Sequence, residues 1–218
     1  MKKAIAILLC MAVCMPAIAH TINYELDAEP AGNVFWKYLV TGFEHIIPLG
    51  FDHILFILCV FFLNTNIRRI ILQATMFTLA HSITLGLAVY GIIDPPPDIV
   101  EPLIAVSILF LALENIISDR VKPWRMVMVF LFGLVHGMGF AGALSELGMP
   151  RYAFATALVA FNIGVELGQL SIILFMYFVV ARTMSSKWWY RKRVVIPSSL
   201  AIALVALYWT VERTFFGS

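Results

Sequence analysis

The chain has 218 residues, of which 61% are hydrophobic and 13% charged, and its formal net charge is +2. Soluble domains carry roughly 45–50% apolar and about 25% charged residues. A chain this small cannot hide so much apolar surface from water, so the composition excludes a soluble enzyme, a DNA-binding domain, a disordered regulator and a disulfide scaffold. We therefore expect an all-α integral membrane protein that partners with the lipid bilayer and with no nucleic acid.

The first nineteen residues have the pattern of a cleavable signal peptide. They combine a basic start, an apolar middle and an A-x-A cleavage motif that ends at Ala19. The sequence thus predicts a signal peptide at 1–19, with an uncleaved signal anchor as the alternative. Cleavage would leave His20 at the start of a polar periplasmic strap, which we place at residues 20–34.

Apolar segments fill the rest of the chain. We expect a polytopic helical membrane domain at 35–213 and a short periplasmic tail at 214–218. Residues 33–47 are predicted to form an interfacial or dipping helix, broken from the first span by Pro48 and Gly50. About six further segments approach the ~20 residues that cross a bilayer at 1.5 Å per residue. These spans are predicted near 49–64, 69–90, 100–118, 126–146, 153–181 and 194–212.

Basic residues fall in alternate loops between the predicted spans. Ten lie on one side and three, Lys37, Arg151 and Arg213, lie on the other. The positive-inside rule places the ten in the cytoplasm. We therefore expect a multi-pass protein of the bacterial inner membrane whose mature N- and C-termini are both periplasmic. The ten are Arg68, Arg69, Arg120, Lys122, Arg125, Arg182, Lys187, Arg191, Lys192 and Arg193.

Ionisable side chains inside the predicted spans are the functional signal, because a charged group in hydrocarbon costs free energy. At 1.5 Å per residue, most of them fall between the outer surface and the midplane. Imidazoles with carboxylates form a ligand set for nickel, cobalt, copper or zinc. The candidate metal ligands are His20, His45, Asp52, His53, His81, Glu101, His136 and Glu166. The supporting polar path is Ser82, Ser107, Glu114, Asn115, Asn162 and Gln169.

Some of these residues also have a simpler interpretation. A single intramembrane histidine often donates a hydrogen bond between helices. Asp52 beside His53 can orient the imidazole instead of binding a metal. Glu101 suits an interfacial position, and Glu114 can reach the polar surface from near its helix end. The glycines at 133–142 favour close helix packing.

Five ordered motifs resemble the signatures of the HupE/UreJ membrane proteins. That family is described as hydrogenase and urease accessory proteins, some of them nickel permeases, and the order His45-Ile46-Ile47-Pro48 is closer to its second branch. The resemblance therefore implies a helical membrane protein that handles nickel. The motifs lie at 42–56, 77–85, 100–108, 132–141 and 161–169.

Two classes of function stay open. The resemblance favours an inner-membrane permease for a divalent transition-metal cation, with nickel expected, that supplies metalloenzyme maturation and holds no prosthetic group. The alternatives are an intramembrane metal-dependent enzyme, similar to a zinc hydrolase and using the same cluster, and a metal-binding accessory protein. The chain has no G-x-x-x-x-G-K-[ST] loop and no H-E-x-x-H motif. A homo-oligomer and a metallochaperone partner both stay open.

The predicted depths lead to a geometric expectation. The liganding atoms should converge on one interior site, within about 3–5 Å of one another. After cleavage, His20 would carry an α-amino group and an imidazole, which together can chelate one metal ion at the outer mouth. The residues expected to converge are His53, His81 and His136 with at least one of Asp52, Glu101 and Glu166.

Overall fold

The computed structural model describes residues 30–64, 66–142, 144 and 151–217. The predicted signal peptide, His20 and most of the strap lie outside this part of the chain. The described residues form helices and no strand. The seven principal helices are α1 (Ala31–Ile46), α2 (Phe51–Leu63), α3 (Ile67–Val89), α4 (Pro97–Ile117), α5 (Trp124–Gly139), α6 (Phe154–Met176) and α7 (Ile196–Phe215).

Four of the described helices are long and apolar enough to cross a membrane. They are α3, α4, α6 with its continuation to Met184, and α7 with the preceding turn Arg191–Val195. Helices α1 and α2 together make a fifth candidate span, bent by 67° at the break that Pro48 and Gly50 predict. Helix α5 is apolar but shorter, with 16 residues. The prediction of an all-α membrane protein is confirmed, and the described helices supply four or five candidate spans where about six were predicted. Helix α5 covers 124–139 of the fourth predicted span, whose last residues lie partly outside the described part of the chain.

The helix termini gather at two ends of the bundle. Arg125 at the start of α5 bonds to Asn115 near the end of α4, and Arg213 near the end of α7 bonds to Asp52 at the start of α2. We call the first of these the basic end, because the α2–α3, α4–α5 and α6–α7 connections there carry most of the basic residues. We call the other the opposite end.

Helix α2 lies at the centre of the bundle. It contacts α1, α3, α4, α6 and α7, while the surrounding helices pair as α1 with α6, α3 with α5, and α4 with α7. Seven of its thirteen residues are buried. One hydrophobic core lies towards the basic end and includes Phe61 and Leu111. A second core lies towards the opposite end and includes Tyr38 and Phe161.

Two close helix contacts depend on glycine. A Cβ atom at Gly137 of α5 would collide with the carbonyl oxygen of His81 in α3. A Cβ atom at Gly164 of α6 would collide with the carbonyl oxygen of Leu39 in α1. The helices of these two pairs therefore touch through their backbones, as small residues allow. This close packing brings the histidines of α1, α3 and α5 within reach of the central helix.

Candidate metal centre

Four buried histidines meet between the two hydrophobic cores. His45 lies in the last turn of α1, His53 in the first turn of α2, His81 within α3 and His136 in the last turn of α5. None of them is more than 8% exposed. The break between α1 and α2 folds His45 back beside His53, so that their ring centroids are 4.6 Å apart. A bend in one span thus supplies two imidazoles to the same place.

Three of these histidines form a compact group of ligand atoms. One nitrogen from each of His45, His53 and His81 lies within 4.8 Å of the other two. The ring centroid of His136 is 5.1 Å from that of His53. Among the described residues, no carboxylate joins the three histidines at that distance. We call His45, His53 and His81 the imidazole triad, with His136 beside it.

Five ring nitrogens of these histidines have no hydrogen-bond partner among the described residues. They are Nε2 of His45, Nε2 of His53, both nitrogens of His81 and Nδ1 of His136. A buried polar atom without a partner costs about 1–3 kcal/mol. The arrangement is therefore unfavourable until a bound ion or water satisfies the nitrogens. Imidazole nitrogen is a donor that transition metals prefer to the hard cations.

Ser107 sets the tautomer of His136. The Ser107 hydroxyl donates to the carbonyl oxygen of Ile104 at 2.7 Å, and its Oγ lies 2.9 Å from Nε2 of His136. With the single hydroxyl proton on Ile104, Nε2 carries the ring proton and donates to Oγ. Nδ1 of His136 is then the nitrogen with a free lone pair. Ser107, which the sequence analysis assigned to a polar path, therefore positions a candidate ligand.

Phenylalanine rings enclose the imidazoles on two sides. Towards the basic end, the ring centroids of Phe56 and Phe77 lie 5.1 and 5.0 Å from that of His136. Towards the opposite end, the ring of Phe140 lies 3.8 Å from that of His45. Apolar walls lower the local dielectric constant, and this strengthens the interaction of an imidazole with a cation.

Asp52 lies at the opposite end and is paired with an arginine. Nη2 of Arg213 donates to both carboxylate oxygens at 3.2 Å, and Nη1 donates to the carbonyl oxygen of Glu101 at 3.4 Å. The side chains of Arg213 and Asp52 are 18% and 26% exposed. The sequence analysis counted Arg213 only as a loop charge. The structure instead places its guanidinium on the carboxylate that precedes His53.

Glu166 lies apart from the imidazole triad. Its Oε1 accepts a hydrogen bond from Thr75 of α3 at 2.6 Å. One turn later, Gln169 accepts from Thr78 of α3 at 3.2 Å. These bonds tie α6 to α3. The structure therefore shows Glu166 and Gln169 in a helix contact and does not bring Glu166 into the group of ligand atoms.

A fully buried ion pair lies at the basic end. Arg125 forms a salt bridge with Glu114 and donates to the carbonyl oxygen of Cys59 at 2.9 Å and to Oδ1 of Asn115 at 3.2 Å. Asn115 donates to the same Cys59 carbonyl at 2.9 Å. Arg191 joins this basic-end network by donating to the carbonyl oxygen of Asn115 at 3.2 Å. These contacts connect α2, α4, α5 and the segment before α7.

The side chain of Arg125 is 0% exposed, so a residue counted only among the basic loop residues lies buried in the first turn of α5. The signal that could have revealed the pair is its spacing. Glu114 closes α4 and Arg125 opens α5, so a short connection must bring them to the same end. Two other candidates of the polar path, Ser82 and Asn162, bond to backbone carbonyls of their own helices. His20 lies outside the described residues.

A family comparison covers most of the chain. The family model described as HupE / UreJ protein matches residues 20–213. The chain belongs to the HupE/UreJ family. The comparison with curated proteins gave no match, and neither did the comparison with solved structures. In this HupE/UreJ chain, the histidines that meet come from the first, second and fourth of the motifs found in the sequence.

Proposed function

We propose that this HupE/UreJ protein is an inner-membrane permease for a divalent transition-metal cation, with nickel as the expected cargo, and that it supplies metalloenzyme maturation. The observation that carries the proposal is the imidazole triad, three buried histidines from three helices with ligand atoms within 4.8 Å. Such a nitrogen site favours nickel, cobalt, copper or zinc over magnesium or calcium. The metal is the cargo, and no prosthetic group is needed.

Polar groups at successive depths along α2 support a route for the cation through the bundle. Asp52 marks the opposite end, His53 the imidazole level, and the carbonyl of Cys59 the basic-end network. At 1.5 Å per residue, Cys59 is about 9 Å beyond His53. The positive-inside rule would turn the basic end towards the cytoplasm. A cation would then enter at Asp52 and leave past Glu114.

Both ends of this route are closed by an ion pair, Asp52–Arg213 at one end and Glu114–Arg125 at the other. A permease must open them in turn, which requires conformations other than this one. The sequence has no ATP-binding loop of the G-x-x-x-x-G-K-[ST] type. At −100 mV a divalent cation entering the cell gains about 4.6 kcal/mol, or ~2.3 kcal/mol per charge. This is enough for roughly a thousandfold gradient.

Uptake of radioactive nickel into proteoliposomes tests the proposal. The wild type should accumulate nickel under an inside-negative potential, and His81→Ala should reduce the initial rate at least about tenfold because a ligand is lost. Thr210→Val is the matched control, because it removes a polar group whose hydroxyl bonds only within α7. Its uptake should equal that of the wild type.

The same preparation separates the alternatives. Stoichiometric metal binding without any uptake would contradict a permease and favour an accessory protein or an intramembrane enzyme. Elemental analysis of protein purified without chelators would identify the metal. Cobalt, copper or zinc in place of nickel would change the cargo and leave the permease intact.

A further inference from the structure

A guanidinium occupies the carboxylate of Asp52, the residue directly before His53 of the imidazole triad. Asp52 directly precedes His53 in α2, so a carboxylate stands one residue from a member of the triad. Both of its oxygens accept from Nη2 of Arg213. Arg213 therefore lies where a cation approaching that carboxylate would bind.

Arg213 contacts Asp52, the carbonyl oxygen of Glu101 and the ring of Trp209. Its guanidinium carbon lies 5.1 Å from the ring centroid of Trp209, one turn earlier in α7. Its two bonds to Asp52 measure 3.2 Å, whereas charge-assisted bonds of this type are usually about 2.7–2.9 Å. The side chains of Arg213 and Asp52 are 18% and 26% exposed, respectively, so both are accessible from outside the protein. A pair that is only partly covered leaves its carboxylate within reach of a second cation.

We propose that Arg213 is a tethered cation that competes with the entering metal ion for Asp52. The inference rests on the proposed function and adds a step to it. A divalent transition metal approaching from the opposite end binds the carboxylate of Asp52 on its way to the imidazole triad, and Arg213 leaves the carboxylate as the metal arrives. Metal binding and the Asp52–Arg213 pair are then mutually exclusive.

The proposal predicts the sign of a substitution effect. If Arg213 only tied α7 to α2, removing its charge would loosen the site and weaken metal binding. If Arg213 competes for Asp52, removing its charge leaves the carboxylate free and strengthens binding. Arg213→Gln keeps a polar side chain of similar reach without the charge, and Arg213→Lys keeps the tethered cation.

Equilibrium binding of radioactive nickel to the purified full chain in nanodiscs is the first measurement. Arg213→Gln should lower the dissociation constant about 3- to 5-fold, the range that follows from a partly exposed pair. Arg213→Lys should stay within about twofold of the wild type. Arg193→Gln is the matched control, because Arg193 also lies over a tryptophan ring, Trp189 at 6.0 Å, and should leave the constant unchanged.

Arginine-specific labelling with phenylglyoxal, mapped by mass spectrometry, is the second measurement. Nickel should raise the labelling of Arg213, because the guanidinium leaves Asp52, and should leave the labelling of exposed Arg193 unchanged. Asp52→Asn should raise the labelling of Arg213 without nickel. This positive control shows the level expected for a released guanidinium.

The inference is overturned if Arg213→Gln binds nickel as the wild type does or more weakly, or if nickel leaves the labelling of Arg213 unchanged. Both measurements concern binding, whereas the proposed function is tested by uptake. A protein that transports nickel but shows neither change would refute the role of Arg213 alone. A protein that shows both changes but transports nothing would refute the permease alone.

Discussion

Each end of the helical bundle contains an arginine paired with a carboxylate, but the two pairs differ in burial. Arg213 and Asp52 are both partly exposed. Arg125 is fully buried and also bonds to the carbonyl of Cys59. The same chemistry should therefore have different energetics at the two ends, because a partly exposed pair contributes less than a buried pair, which is costly to break. We expect the first to be displaceable and the second to hold helices together.

The largest effect should follow from breaking the buried pair. Arg125→Met leaves Glu114 buried without its partner and should lower the free energy of unfolding by about 3–5 kcal/mol. Denaturant unfolding in detergent is the measurement. Arg120→Gln is the control. Arg120 lies in the exposed α4–α5 connection, and its substitution should change the free energy of unfolding by less than about 0.5 kcal/mol.

The double variant Glu114→Leu/Arg125→Met sharpens this result. Replacing both partners removes the uncompensated charge, so most of the lost stability should return. A double variant as unstable as Arg125→Met alone would show that the rest of the basic-end network, and not the ion pair, holds α4 to α5.

The region between the two pairs should depend on close packing more than on charge. Gly137→Ala pushes a Cβ atom into the backbone of His81 and should cost about 1–3 kcal/mol. It should also weaken nickel binding, because it moves α5 away from α3. Gly142→Ala is the control, since a Cβ atom there would meet no atom of the described residues within 4 Å. Equal stability of the two variants, measured by thermal unfolding, would contradict the close α3–α5 contact.

A smaller effect is expected from Ser107, which touches the imidazoles and neither ion pair. Ser107→Ala removes the acceptor of His136 Nε2 and frees the ring to change tautomer, so nickel affinity should fall about tenfold. Ser199→Ala removes another buried serine, whose Oγ has no hydrogen-bond partner among the described residues. Isothermal titration calorimetry with nickel should give the same affinity for Ser199→Ala as for the wild type. A similar loss in both variants would mean that Ser107 acts only through packing.

The smallest effect on stability should come from the exposed pair. Arg213→Met should lower the free energy of unfolding by less than about 1 kcal/mol, several-fold less than Arg125→Met. Unfolding both variants under one set of conditions compares the two ends directly. Equal losses of unfolding free energy in Arg213→Met and Arg125→Met would contradict the proposed difference between the two ion pairs.

Much of the fold could be predicted from the sequence because the hydrocarbon core dictates it. Apolar segments of about 20 residues and the break at Pro48 and Gly50 follow from bilayer thickness and backbone chemistry. Helical rise predicted that His53, His81 and His136 lie at similar depth with a carboxylate, whereas the ligand atoms that meet are those of His45, His53 and His81. The place of His45 in the triad did not follow from helical rise, because a 67° bend sets the direction in which α1 returns.

Arg125 and Arg213 were missed because a basic residue near the end of a span normally reports topology. Whether its side chain turns outwards to water or inwards to a carboxylate depends on the tertiary contacts of several helices. Glu166 is the opposite case, because it was predicted to bind a metal and instead takes part in a contact between helices. Its depth suggested a ligand, but depth does not say which neighbouring helix a side chain faces, and Thr75 of α3 binds it.

X-ray absorption at the nickel edge of protein loaded with one equivalent of nickel tests the central claim, that the buried imidazoles hold the cargo. We predict at least three imidazole nitrogens near about 2.1 Å from the metal and one imidazole fewer in His81→Ala. Coordination by oxygen alone, or a spectrum that His81→Ala leaves unchanged, would contradict the account and place the metal elsewhere in the chain.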